Sequence, residues 1–195
     1  MIRAGTIDEI TPASGKWVYL DIGFSNNTKS CGLLIDESTP EEVTFSDAVA
    51  IICNYINNSI HPVNLVIEAP LSVAFDAKGN PKGRSIEKRN SKTRYWYVSL
   101  GTAVMVAALY LMKAIMDSRP STEVRLFEGF VSFKKSKKSN HSQDVLLLRD
   151  IVKNGLDKAI IMPESIKLDP SDHIQSAFLV TGIDLGVPPI LVGNG

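Results

Sequence analysis

The sequence predicts a single α/β domain over residues 1–195, built on a sheet with helices packed against it. Three observations carry that prediction. A chain of 195 residues that is 44% hydrophobic and 22% charged has the size and balance of one globular domain with a sizeable core. Apolar runs of strand length alternate along it with stretches whose apolar residues recur at helical spacing. Two of the strand-like runs close on a carboxylate, Asp21 and Glu68, where a purely structural core would not place one.

The elements follow in order. Ile2 to Ile10 is weakly strand-like, Trp17 to Ile22 is a strand, and Ser30 to Ile35 is a second one after a turn at Ser25-Asn26-Asn27. Val43 to Phe45 is short enough for a third. Ser46 is placed to cap a helix in which Val49, Ile52, Cys53 and Ile56 recur at i, i+3, i+4 and i+7. His61-Pro62 ends that connection, and Val63 to Ile67 forms an apolar strand closed by Glu68-Ala69-Pro70. The stretch from Leu71 to Arg94 is long for a loop, which points to function. An apolar helix runs from about Tyr95 to Met116, followed by a strand from Glu123 to about Phe133. Ser142 can cap a helix carrying Val145, Leu148, Ile151 and Val152, and Ile160 to Met162 is ambiguous. A last helix is expected from Pro170 to about Ile183, stopped near Gly182 and Gly186, before the apolar tail after Pro188-Pro189.

Tyr95 to Met112 holds no charged residue and approaches the length of a bilayer span, with Arg94 and Lys113 at its ends. Ser99, Gly101 and Thr102 dilute it, and the helices of α/β proteins are often apolar all round, so no membrane is expected. The N-terminal residues lack the apolar core of a signal peptide. Cys31 and Cys53 have no metal-ligand spacing. A reduced, cytoplasmic chain is the expectation.

The net charge is zero, yet its distribution is uneven. From Lys78 to Arg94 seven basic residues stand against Glu87 alone, and Lys134, Lys135, Lys137 and Lys138 form a second basic run. The rest of the chain is acidic. Right-handed crossovers would set the strands ending in Asp21, Glu68 and Glu128 parallel, with their carboxyl ends on one rim where α/β sheets bind ligands. Both basic segments follow strands of that set. Their expected use is to hold phosphates, with Lys82, Arg84, Lys88, Arg89 and Arg94 as candidates, against the plainer reading of solvated loops. Tyr95, Trp96 and Tyr97 either stack on an unpaired base or begin the buried helix.

Carboxylates gathered at a buried edge need a partner, and a hard divalent cation such as Mg²⁺ or Mn²⁺ is the common one. Asp169 and Asp172, opening the expected last helix, are the further acids for such a site. Each acid has a plainer explanation: Asp21-Ile22-Gly23 as a polar strand end before a turn, and Asp169-Pro170-Ser171-Asp172 as ordinary helix-capping chemistry. Glu68 before Ala-Pro has least to gain as a turn residue. Glu128 could join the acids or pair with a lysine, and His141 is either solvent-exposed or a proton carrier near a metal.

The segments VYLDIG, LVIEAP and DPSDHIQSA resemble the three acidic motifs of the ribonuclease H-like superfamily. The D-x-x-D pair is similar to that of bacterial Holliday junction resolvases, while IEAP, the long basic loop and FEGF resemble a predicted-nuclease branch of the superfamily. The resemblance implies a five-stranded mixed sheet, three antiparallel strands and then two parallel ones, flanked by helices. It implies catalytic Asp21, Glu68 and Asp172, with metal held by Asp21, Glu68, Asp169 and Asp172. The reaction implied is hydrolysis of a nucleic-acid phosphodiester by a two-metal mechanism. His173 and Gln175 depart from the small apolar residues usual in the last helix. Asp21-Ile22-Gly23-Phe24-Ser25 also resembles the phosphate-binding turn of actin-like and sugar-kinase ATPases, with Gly182 to Gly186 and Leu191 to Gly195 echoing later motifs. That fold needs two such domains. A non-catalytic nucleic-acid or protein binding domain, or a homodimer, is compatible with the same pattern.

Overall fold

The computed structural model describes residues 1–24, 29–133, 140–155, 159–181 and 183–192. Its elements in chain order begin with strands β1 (Ile2–Ala4), β2 (Lys16–Ile22), β3 (Cys31–Ile35) and β4 (Glu41–Val43), helix α1 (Phe45–Asn58) and strand β5 (Val63–Glu68). Four short strands follow, β6 (Ser72–Phe75), β7 (Pro81–Lys82), β8 (Lys88–Arg89) and β9 (Lys92–Thr93), then helix α2 (Leu100–Asp117) and strand β10 (Val124–Phe130). Helix α3 (His141–Asn154) and strands β11 (Ile160–Ile161), β12 (His173–Ser176) and β13 (Ile190–Val192) complete the order.

The main sheet is mixed and runs β11-β13-β10-β5-β2-β3-β4, with β1 also paired to β10. Strands β2, β3 and β4 are antiparallel neighbours, and β5, β10 and β13 continue parallel to β2. The sheet therefore extends beyond the five expected strands: the weak N-terminal run and the apolar tail both add to β10 in parallel. Alternation along the strands sorts the two faces. Val18, Leu20, Leu65, Ile67 and Leu126 pack with α1 and α2, while Tyr19, Leu34, Val66 and Phe127 pack with α3.

The helices begin a little away from their expected caps. Thr44, not Ser46, caps α1 by accepting from the Asp47 N–H at 3.0 Å, and Asn140, not Ser142, caps α3 through the Gln143 N–H at 3.1 Å. Helix α2 starts at Leu100, so Tyr95 to Tyr97 precede it. It is the one helix among the described residues long and apolar enough to cross a membrane, and it buries Val104, Ala108, Leu111 and Ile115 in the core against the sheet.

The expected last helix is a strand. Residues 173–176 pair antiparallel with β6, and β6 pairs with β7, making a second, three-stranded sheet. His173 and Gln175 are exposed while Ser176 is buried and Ile174 is partly so. That is the two-residue period of a strand, and it explains why these residues do not suit a helix. A 3₁₀ turn over Ala177–Thr181 follows.

The long segment after Glu68 is structured rather than a free loop. Arg84 is fully buried and joins Glu87, at 3.0 Å, to Glu128 on β10, at 2.8 Å. Its Nη1 also donates to the Ser72 hydroxyl at 2.7 Å, and Leu71 N–H donates to Glu128 at 2.9 Å. This buried network ties the segment to the main sheet. The β8–β9 hairpin that follows is exposed along both strands.

Candidate active site

Asp21 and Glu68 are register partners on the neighbouring parallel strands β2 and β5, at their carboxyl ends. Side chains two residues apart share a face, so both follow Tyr19 and Val66 onto the α3 side of the sheet. Their carboxyl groups hydrogen-bond each other. Asp21 is buried, and its Oδ2 lies 2.7 Å from Nδ1 of His141, the first residue of α3. Asp144, one turn further into that helix, is also buried, and its charge acts on Glu68. Glu68 Oε1 accepts from the Val131 N–H and the Ser132 hydroxyl, both at 3.4 Å, just beyond β10.

The approach of α3 to the sheet depends on two glycines. A Cβ at Gly32, the register partner of Asp21 on β3, would collide with the His141 backbone, and one at Gly23 would collide with the imidazole ring. Both positions read as ordinary glycines in a chain. Their use is close packing of a helix start against strand ends.

Burial, followed by the Asp21 charge and hydrogen bond and then the Asp144 charge, pushes the Glu68 carboxyl well above the ordinary carboxylate range. Two carboxyl groups in contact cannot both ionise cheaply, so the pair retains a proton above the ordinary carboxylate range. A divalent cation would replace that proton. Mg²⁺ is commonly held by one or two carboxylates together with water and substrate phosphate, and the Asp21–Glu68 pair fits that requirement. Among the described residues no group of three or more His, Cys, Asp or Glu side chains is arranged to hold a metal ion by itself.

The other expected site residues lie apart from this pair. Asp172 is buried, but it forms an ion pair with Lys82 at 2.7 Å and accepts the backbone N–H groups of Leu168 and Asp169. Lys82 first, through that hydrogen bond, holds the Asp172 carboxyl below its ordinary range. Asp169 is exposed and binds Ser171. The capping chemistry that competed with metal binding for these two acids organises a tight turn into β12, and the four-carboxylate set does not assemble. Asp144 is the acid that α3 brings instead. It shares the buried stripe with Leu148 and Ile151 at i, i+4 and i+7, a signal present in the sequence but overshadowed by the D-x-x-D motif.

Among the basic candidates, Arg84 is corrected: sealed between Glu87 and Glu128, it is inaccessible to a phosphate and its role is structural. Lys82 is committed to Asp172. Lys88, Arg89 and Arg94 are exposed, and Arg89 donates to the Phe133 carbonyl at 3.1 Å, which sets the hairpin beside the end of β10 and hence beside Ser132. Glu128 faces away from the Asp21–Glu68 pair and pairs with an arginine, not a lysine. Trp96 is buried, with its indole N–H on the Lys82 carbonyl at 3.0 Å, while Tyr95 and Tyr97 stack on each other. His141 is a partner of Asp21 rather than a solvated residue. The lysines at 134, 135, 137 and 138 lie outside the described residues, as do Gly182 and residues 193–195 of the kinase-like motifs.

Compared with protein-family models, with curated proteins and with solved structures, the chain gave no match.

Proposed function

We propose that this chain is a divalent-cation-dependent nuclease of ribonuclease H-like architecture, acting on nucleic-acid phosphodiesters at the Asp21–Glu68 edge. The observation that carries the reading is the contact between these two carboxyl groups on adjacent parallel strands, with His141 and Asp144 presented by α3 on the same face. The strand order β4-β3-β2-β5-β10, with β3 running against its neighbours, supports the architecture.

Asp21 and Glu68 would hold the cation, with Asp144 adding negative charge beside them. Bound Mg²⁺ or Mn²⁺ supplies Lewis-acid polarisation of a phosphoryl oxygen and lowers the pKa of a coordinated water. Asp21 also orients the His141 ring through Nδ1, leaving Nε2 as the nitrogen able to take or give a proton. The exposed cations of the β8–β9 hairpin would hold flanking phosphates, which an acidic edge alone would repel. Hydrolysis of labelled oligonucleotides that requires Mg²⁺ or Mn²⁺ tests the reading, together with a cation-dependent rise in Tm that Asp21→Asn abolishes. Activity that survives chelation of all divalent cations would refute it.

A further inference from the structure

The segment that ends β10 has two sides. On one, Val131 and Ser132 donate to Glu68. On the other, Phe130 and Phe133 meet edge to face with centroids 5.6 Å apart, and with Ile86, Ile161 and Val192 they wall a cavity of about 170 Å³. The lip of this cavity is cationic: Lys88 and Arg89 of the hairpin line it and are exposed, and Arg89 is fixed there by its bond to the Phe133 carbonyl.

An apolar cleft alone would accept many hydrophobic groups. Two cations beside an aromatic wall favour a ligand that joins an apolar ring to an anion, which describes a nucleobase on its phosphodiester. The volume is below the ~300–1,000 Å³ of pockets for drug-sized ligands, so a single ring system fits better than a whole nucleotide. Bases in a duplex are stacked and paired, and enter a side pocket only when unpaired.

We propose that this cleft holds one unpaired nucleobase beside the carboxylate pair, so that the substrate is a single-stranded stretch of nucleic acid. The proximity of the cleft to the cleavage chemistry rests on the nuclease reading; the base-binding itself does not. The link is short: Phe130 and Phe133 of the cleft wall flank Val131 and Ser132, which donate to Glu68.

The test is fluorescence anisotropy of a labelled oligodeoxythymidine and of a duplex of the same length, with divalent cations chelated so that nothing is cut. The single strand is expected to bind more tightly than the duplex. Phe133→Ala should weaken single-strand binding roughly 5- to 150-fold, the range that base–aromatic stacking contributes, and Phe133→Trp should preserve it. Ile86→Ala, also in the lining, gives a second measure independent of the aromatic ring, with weakening in the same direction. Equal binding of duplex and single strand, or single-strand binding unchanged in both alanine variants, overturns the proposal. Cation-dependent cleavage combined with that null binding result would leave the nuclease reading standing without the cleft. Phe133-dependent binding without cleavage under Mg²⁺ or Mn²⁺ would do the reverse.

Discussion

Asp21 and Glu68 face each other across two parallel strands with their carboxyl groups in hydrogen-bonding contact, and Asp21 also holds the imidazole of His141 at 2.7 Å. Two acids in one buried contact are a standing electrostatic cost. Sites that bear such a cost are commonly those where function requires it.

The first consequence is a pH dependence of stability. Glu68 has a raised folded-state pKa, so the folded chain binds its proton more tightly than the unfolded chain does. That contribution is fully present below the ordinary value of 4.5 and is lost as pH rises through the raised value. Glu68→Gln removes it. Thermal melts between about pH 5 and 8 should show the variant gaining stability over the parent as pH rises, and Mg²⁺ should stabilise the parent more at the higher pH.

Gly32→Ala should be costly for so small a change. Its methyl group would strike the backbone of His141 and lift the first turn of α3 from the strand ends. A loss of ~1–3 kcal/mol in urea unfolding is expected, as for overpacking elsewhere. Cleavage should fall further than stability does, because the displaced turn carries both His141 and Asp144.

The buried Arg84 separates structure from binding. Arg84→Met leaves Glu87 and Glu128 buried without their cation and should cost ~3–5 kcal/mol. Replacing all three by apolar residues of similar volume should recover most of that loss, since a buried ion network gains little over good packing. Chemical denaturation of the single and triple variants checks both statements.

The exposed hairpin should behave in the opposite way. Joint replacement of Lys88, Arg89 and Lys92 by Gln should leave the fold intact and lower the slope of log binding constant against log salt by roughly 2 to 3, one phosphate contact per removed charge. An unchanged slope would mean that these cations make no phosphate contact.

Much of this arrangement was legible in the residues. The strand ends at Asp21 and Glu68, the alternation of strands with helices and the α3 stripe all follow from apolar periodicity, which local sequence records well. The sequence points to a last helix because Asp169-Pro170-Ser171-Asp172 is good capping chemistry, and that chemistry closes a turn just as well. The alternation in His173 to Ser176 was the better guide. Arg84 looked like its basic neighbours, since burial of one arginine in a basic run depends on where Glu128 lies in three dimensions. Asp144 and His141 reach the site only because two glycines admit a helix, a packing fact with little local signature.

The measurement that bears most directly on the central claim is hydrolysis of labelled single-stranded and duplex oligonucleotides by the parent chain, Asp21→Asn and Glu68→Gln, with and without Mg²⁺ or Mn²⁺. The account predicts cation-dependent cleavage by the parent and loss of about 10²-fold or more in each variant, with folding retained. Cleavage unchanged by both substitutions, or its absence from the folded parent chain under either cation on both substrates, would contradict it.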